Sequence, residues 1–561
     1  MTEPGEPGTA TRVPEPPSDA DTAVDAMPAD ARSFARSTAS MTVLTLASRL
    51  TGFVRIVVVT AVLGATFLGN TYQTANTVPN LLFELIAAGV LQAVLVPTLV
   101  TLLDRKEQAE AEHVAGSVLG LSCAALAGLA ALGILAAPWV ARGVFAGVAD
   151  PAVRADQIRL GTVFLWFFLP QVVMYALGMV ATSVLNARNR FALPVFAPAL
   201  NNVVVISSCA LFWVLRHGKE PSLDLARPEV LALAGGTTLG VIAFCGLPAV
   251  AVMRSGFSLR PRLDRHHPEV RRIARLGAWA ALFLAVTQVL LLVVLVLANR
   301  VEGGVVAYQV GFTFFLLPHA LFALPVLTAL FPALSRQAAQ QDWHGFGRSM
   351  ERGTRAIAFF VLPAAAALTA LASVLARSVL FGETERSGED QVARVLMGFA
   401  PGLFGYGMFL FMSRVLYARK DTKTPALVNV GVAAGGAVTM IVAFTSVHGT
   451  LRVPALALAH SAAYSLGALV LYRLARRKLP TEHRPNVWRP VAAPTAAAVL
   501  TGLTMWTLAR ALDPQSRMAG LGVIFGTSIL GAALFLLGTA LLGGPRPRAV
   551  AGLLRDSARR G

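Results

Sequence analysis

Two arginines stand six residues apart in Ser48-Arg49-Leu50-Thr51-Gly52-Phe53-Val54-Arg55, inside an otherwise apolar stretch. A guanidinium stays charged at any physiological pH and offers forked donors, so the pair suits an anionic head group rich in phosphate oxygens. On a helix six residues turn about 240° and rise about 9 Å, so the two side chains cannot line one narrow stripe. Either both grip a large head group at different depths, or Arg49 snorkels to the membrane surface and Arg55, lying deeper, does the binding. Downstream, Asn70, Gln73, Thr77, Asn80 and Glu84 recur at steps of 3, 4, 3 and 4, which a helix stacks on one face. Such a stripe bonds helices to each other or lines water, and the carboxylate in it favours the aqueous cavity. Pro79 beside Asn80 allows a bend there. Weaker lining candidates are Gln171 with Tyr175, Gln288, Gln309, Thr313, His319, and His460 with Tyr464.

Other chemistry is missing from the chain. It has no GxxxxGK[ST] run for ATP, no metal-ligand cluster and no nucleophile elbow. Its first loop, 64–69, lacks the acid that a membrane glycosyltransferase would place as base or metal ligand. Neither catalytic residues nor a cofactor is therefore expected. Cys123, Cys209 and Cys245 are far apart within apolar blocks and read as packing residues, not as a disulfide framework or zinc site.

The elements that must carry these residues follow from composition. Of 561 residues, 55% are hydrophobic and 14% charged, where a soluble domain has about a quarter charged. Apolar windows long enough to cross a bilayer recur at 41–63, 78–103, 114–137, 158–183, 194–215, 230–253, 276–298, 304–331, 356–376, 394–413, 425–446, 453–472, 490–509 and 518–542. The chain is thus expected to be an all-α polytopic membrane protein of about fourteen transmembrane helices. The windows are continuously apolar, which excludes the alternating strands of a membrane barrel. Pro170, Pro318, Pro325, Pro363 and Pro401 predict kinks within spans.

The net charge of +18 comes from short basic clusters between spans, a pattern that argues against nucleic acid. With a cytoplasmic N-terminus, 32 of the 48 Lys and Arg fall on the cytoplasmic side and 13 on the other, so both termini are expected inside. The richest loop, Arg254 to Arg275, holds seven arginines with His266 and His267. It reads as a topology determinant touching anionic lipid, or as a regulatory site.

An internal repeat sets the architecture. VLNARNRFALP, Val184 to Pro194, matches VLYARKDTKTP, Val415 to Pro425, and each copy leads into Pro-Ala-Leu-x-Asn, at Pro198 to Asn202 and Pro425 to Asn429. Ala93 to Pro97 is echoed more weakly by Ala329 to Pro332. Offsets near 230 residues, six spans, predict two six-helix lobes of equal orientation related by an axis along the membrane normal, plus a terminal helix pair. The expected division is a disordered tail 1–37 (Pro-rich, with seven acids before residue 31), lobes 38–253 and 276–472, a basic linker 254–275, a helix pair 473–545 and a basic tail 546–561.

The arginine motif from Ser48 to Arg55, with Val62-Leu63-Gly64-Ala65, Val78-Pro79-Asn80-Leu81-Leu82 and Val94-Leu95-Val96-Pro97, resembles the MurJ/MviN family of lipid II flippases, as a divergent actinobacterial-type member. The likeness runs on through Leu185-Asn186-Ala187-Arg188, Phe191-Ala192, Pro198, Asn201-Asn202 and Phe331-Pro332-Ala333-Leu334-Ser335, over about residues 38–545. It implies a member of the MOP exporter superfamily with a terminal pair that guides the polyprenyl tail, and it places Arg49 and Arg55 on arginines important for flipping. The chain departs from the family at Ile56, where an acid is usual, at Asn70 in place of Asp, at Phe83-Glu84 in place of an Arg pair, and at Phe312-Thr313 in place of Asp-Arg. Its cavity is correspondingly less cationic.

The expected function is movement of a polyprenyl diphosphate-linked glycopeptide across the bacterial cytoplasmic membrane by alternating access, for cell wall synthesis. An ion gradient or membrane potential would drive it. Its partners would be membrane lipids and other cell-wall synthesis proteins. The alternatives are export of another polyprenyl-linked glycan, multidrug antiport, and a non-transporting scaffold for wall synthesis; an enzyme acting on lipid-linked sugars is the weakest reading.

Overall fold

The computed structural model describes residues 29–86, 90–486 and 488–543, with side chains at 29–43, 85–94, 274–285 and a few shorter stretches outside that description. The basic tail 546–561 also lies outside it. The described residues are helical and contain no strand. Ten helices are long and apolar enough to cross a membrane, and Glu389–Phe399 with Gly402–Ala418 makes an eleventh span bent by 48°. Three further helical segments complete fourteen: Ala29–Leu63, the pair Phe67–Ile86 and Val90–Asp104, and Pro268–Ala298.

The spans in order are the first, Ala29–Leu63; the second, Phe67–Ile86 with Val90–Asp104; the third, Gln108–Phe145; and the fourth, Pro151–Phe168 with Gln171–Ala187. Then come the fifth, Ala192–Arg216; the sixth, Arg227–Arg254; the seventh, Pro268–Ala298; and the eighth, Gly304–Ala339. The ninth is Trp343–Val379, the tenth the bent pair, the eleventh Lys423–Ser446, the twelfth Arg452–Arg477, the thirteenth Trp488–Leu512 and the fourteenth Arg517–Leu541. Twelve of the apolar windows fall inside these spans; the last overruns its helix by Leu542, and the second includes residues 87–89, outside the described ones. Most helices overrun their windows, because a polar end can continue a helix beyond the apolar stretch.

Two boundaries move. The helix of the first span is described from Ala29, within the stretch 1–37 expected as tail, and residues 1–28 lie outside the described residues. The second starts at Phe67 rather than 78, which brings the whole polar stripe inside the span. The fourth breaks at Pro170 and the tenth at Pro401, as expected of prolines whose rings displace a helical hydrogen bond. The eighth span takes a wide turn at His319–Ala323, just after Pro318.

The repeat is visible in the backbone. Asn189 (φ 59°) and Lys420 (φ 60°) occupy matching left-handed positions after the fourth and tenth spans. Arg190 N–H donates to the Leu185 carbonyl at 2.8 Å, and Asp421 N–H donates to that of Leu416 at 3.0 Å. The Pro-Ala-Leu-x-Asn asparagines also match. Asn202 donates to Thr51 Oγ1 at 3.1 Å and Asn429 to Thr287 Oγ1 at 3.2 Å, tying the fifth span to the first and the eleventh to the seventh. The buried cores follow the two lobes, and the thirteenth and fourteenth spans pack on the ninth, with Phe359 against Phe535 at 5.4 Å.

The linker between lobes, 255–267, lies along the start of the third span. Arg262 N–H donates to the Gly116 carbonyl at 2.9 Å. A Cβ on Gly116 would meet the Arg260 carbonyl at 2.4 Å, and one on Gly120 the Arg262 carbonyl at 2.1 Å, so only glycine admits the linker so closely. His113 Nε2 donates to Asp264 at 3.0 Å, His267 Nε2 donates to Glu110 at 2.8 Å, and the two rings lie 5.2 Å apart. The second lobe repeats this device, with its exit segment laid on the start of the ninth span and the His344 and His483 rings 5.5 Å apart.

Candidate functional site

The lobes are sealed together at the face opposite the Arg254–Arg275 loop. Asn70, fully buried, donates to the Val301 carbonyl at 2.8 Å and accepts from Val305 N–H at 2.9 Å and Val306 N–H at 3.5 Å. It thereby caps the eighth span, whose first amides have no partner within their own helix. One turn further, Asn299 donates to Thr74 Oγ1 at 2.9 Å. Thr384 donates to the Thr60 carbonyl. Gly303 takes φ 65°, and its hypothetical Cβ would lie 2.3 Å from the Ala65 carbonyl. The seal continues to the T-shaped contact of Phe53 with Phe314 at 5.5 Å, each ten residues, or about 15 Å, from its span end.

Beyond that contact Arg49 is exposed, as are Pro325 and Thr328 of the eighth span. Arg49 precedes Phe53 and Ile56 by four and seven residues and so shares their face, which looks toward the second lobe. The Asn70 and Asn299 bonds between the lobes thus lie at the face opposite the basic loop, and the exposed Arg49 lies on the basic side of the Phe53–Phe314 contact.

Arg55 points elsewhere. It is half-buried within the first lobe beside the Asn201 amide; with that amide turned so that both its groups are satisfied, Arg55 Nη1 donates to the Asn201 oxygen at 3.3 Å and the Asn201 nitrogen donates to the Gly240 carbonyl at 3.3 Å. Its charge acts on Tyr72, Tyr175 and Cys209. Tyr72 is hydrogen-bonded to Thr237 at 2.6 Å, so five spans of the first lobe supply polar groups on this side of the arginine. The two arginines thus face different spaces, as 240° of separation requires.

The stripe divides. Gln73 is partly exposed, Thr77 accepts from Gln309 Nε2 at 3.1 Å, Asn80 is exposed and donates to the Asn76 carbonyl at 3.2 Å, and Glu84 accepts from Gln288. These run along the seam between the second span and the seventh and eighth. Asn70 does not line a cavity; its amide is consumed at the seal, because the helix continues through it to the closed face. Thr313 is spent on the Gln309 carbonyl of its own helix at 2.9 Å. Gln171 is buried in the first lobe and donates to Thr238 at 2.8 Å. His319 is buried in the second lobe against Tyr406, away from Arg55. Tyr175 lies with Arg55, and His460 and Tyr464 lie with His319.

Three partners escaped the sequence reading: Asn201, Asn299 and Thr74. Asn201 was legible in principle, since a half-buried guanidinium needs an acceptor and the family-like Asn201-Asn202 pair supplies one. Beside the seam, an apolar groove of about 410 Å³ opens among the second, third, fourth and seventh spans, with Leu81, Leu132, Val140, Leu169 and Leu292 in its walls and Gln288 at its edge. Such a groove accepts hydrocarbon and little else. The three cysteines are free, and among the described residues no cluster could hold a metal ion.

Two repeated lobes of bent membrane helices, bonded to each other at one face around polar side chains, define the class: a two-lobed membrane transporter fold. Solved structures agree. A lipid II flippase MurJ in its inward closed conformation matches with a TM-score of 0.69 at 20% identity, over 88% of this chain and 97% of that one. An inward-facing multidrug resistance MATE family transporter of the MOP superfamily matches with a TM-score of 0.63 at 13% identity, over 77% and 94%. The chain belongs to the lipid II flippase MurJ family, whose model matches residues 59–519. A lipid II flippase MurJ of Burkholderia cenocepacia is 28% identical over 391 residues, 69% of this chain and 74% of that protein. A probable lipid II flippase MurJ of Vibrio cholerae is 28% identical over 474 residues, 83% and 87% of the two.

Proposed function

We propose that the chain is a lipid II flippase of the cytoplasmic membrane, a transporter without enzymatic activity. The observation that carries this is Arg55, a half-buried guanidinium beside Asn201 inside the first lobe. Lipid II presents a diphosphate on a sugar, and a forked donor at a partly desolvated site is the partner such a group needs. Taking the basic face as cytoplasmic, the head group enters past Arg49, reaches the seam of Gln73, Asn80 and Glu84, and meets Arg55, while its hydrocarbon tail stays in lipid. Rocking of the lobes breaks the Asn70 and Asn299 bonds, opens the far face and closes the near one. Membrane potential or an ion gradient drives the cycle, and other wall-synthesis proteins receive the product.

The test is complementation in cells depleted of their own flippase, with surface-accessible lipid II as readout. Parental protein should restore it. Arg55→Ala should insert normally and fail to flip, because a charge-assisted contact contributes about 1.5 to 3 kcal/mol, roughly 10- to 150-fold in binding. Arg55→Lys should fall between, keeping charge without the fork. Parental rates for Arg55→Ala would move the head-group site elsewhere, and would fit a scaffold better than a carrier.

A further inference from the structure

The second lobe encloses two imidazoles that the flipping pathway does not use. His319 begins the wide turn of the eighth span and His460 lies within the twelfth; each is only 7% exposed. Tyr406 of the tenth span stands between them, its ring 4.9 Å from His319 and 6.4 Å from His460. Tyr464 lies 4.6 Å from His460, and Phe312, Phe315 and Phe399 complete the cage at 5.5, 6.2 and 5.5 Å from that ring. Fifteen residues from Gly304 and eight from Arg452 place the rings about 22 and 12 Å below their span ends, inside the membrane.

Neither ring is satisfied. His319 Nδ1 and His460 Nε2 are buried with no hydrogen-bond partner. Phenylalanine at either place would pack as well without an orphaned nitrogen, so packing alone does not account for imidazole here. Among the described residues, burial is what acts on both rings, and no charged side chain reaches them. The titratable groups facing the cage are Tyr406 and Tyr464, with Tyr308 one ring further, 4.9 Å from Phe399. The lobe's carboxylates lie in loops or within the first turns of helices, apart from Glu351 in the third turn of the ninth span, which is paired with Arg355 at 2.8 Å. The two histidines are therefore the groups at mid-membrane in this lobe able to change charge near neutral pH.

Their placement is mechanical as well. His319 sits on the wide turn, and Tyr406 follows the 48° break of the tenth span by a few residues. Both are points where a helix changes direction easily.

We infer that the caged pair His319 and His460 is a proton-binding site, empty in the conformation described here and loaded when the eighth and tenth spans bend and admit water. The proton passes from hydronium in the entering water to the free ring nitrogen, giving imidazolium, and returns to water before the cage closes. Because the closed cage cannot hold the charge, acid favours the opposite conformation, by up to about tenfold per pH unit for each site that loads. This rests on the alternating-access reading, but its test needs no lipid II.

Spin labels at Glu107→Cys and Gln340→Cys, exposed positions on the basic face of the two lobes, report lobe separation in lipid nanodiscs. Lowering the pH from 8 to 5.5 should enrich the shorter distance more than tenfold. His460→Gln and His319→Gln should each blunt that response, and His217→Gln, on an exposed loop, should leave it intact. His460→Phe, which fills the cage, should melt at or above the parental temperature and lose the response, separating a lost site from a misfolded lobe. In ¹⁵N-histidine protein, ring signals from positions 319 and 460 should become imidazolium only in step with the short-distance population. An unchanged pH response in both glutamine variants, or neutral rings throughout, overturns the proposal. A pH-linked movement in a protein that does not flip lipid II would leave the proton site standing and sink the flippase reading alone.

Discussion

Asn70→Ala is the sharpest perturbation of the closed face. The side chain caps Val305 and Val306 and holds the Val301 carbonyl, all across the lobe boundary. Removing a helix cap costs about 0.5 to 2 kcal/mol, and the Val301 carbonyl loses one of its two donors while keeping Gly304 N–H at 3.0 Å. About 1 to 2 kcal/mol therefore falls on the closed conformation, or about 5- to 30-fold in its population. Hydrogen exchange reads this directly: the Val305 and Val306 amides should exchange faster by that factor, with amides deep in the ninth span unchanged. Asn70→Asp gives a graded control. A carboxylate still accepts from the two amides and suits a helix N-terminus, but it cannot donate to Val301, so the acceleration should stay below about tenfold. If Asn70→Ala leaves both amides protected while lipid II binding fails, Asn70 belongs to the substrate site and the seal has been misread.

Three further outcomes are expected. Glu84→Gln should cut flipping only a few-fold if the carboxylate serves as acceptor for Gln288, because an amide oxygen can still accept; abolished transport with normal insertion would give Glu84 a charge-dependent role instead. Single cysteines at Thr66 and Glu302 should react with an impermeant thiol reagent on intact cells, and one at His266 only after permeabilisation; labelling of His266→Cys in intact cells would reverse the orientation. The hydrogen bond from His113 holds the Asp264 carboxyl below the usual range, aided by the His266 and His267 amides. A depressed carboxyl contributes stability above its unfolded value of about 3.9 and loses it as pH falls through the lower folded value. Proteolysis of the 255–267 linker should therefore accelerate only under strongly acidic conditions, and Asp264→Asn should give that acceleration already at pH 7.

Much of the fold was legible because a bilayer imposes one rule: every span must be long, apolar and internally hydrogen-bonded. The Arg-bearing turns after the fourth and tenth spans gave away the repeat, since a left-handed residue followed by Pro is a local signal. The start of the second span was hidden because Asn70, Thr71, Gln73, Thr74, Asn76 and Thr77 depress hydropathy where the helix is buried by protein rather than lipid. Asn70 itself could not be placed, since its partners stand more than 230 residues away and appear only once the lobes meet. The divergence of Arg49 and Arg55 was readable from helix geometry alone, whereas His319 was not: period and polarity are the same for a residue facing a cleft and one facing its own lobe.

The linker laid against Gly116 and Gly120 fixes where the seventh span begins. Its first turn, at Pro268, is moored to the first lobe, while its far half packs beside the eleventh and eighth spans of the second. One helix thus packs on both lobes, against the second and third spans of the first and the eleventh and eighth of the second. If the lobes rock as proposed, it would serve as a flexure in the engineering sense: the stroke would be taken up as curvature of a single beam, whose stiffness would set how far and how fast the lobes swing. Turnover in this family would then be tunable at a helix that need never touch the cargo.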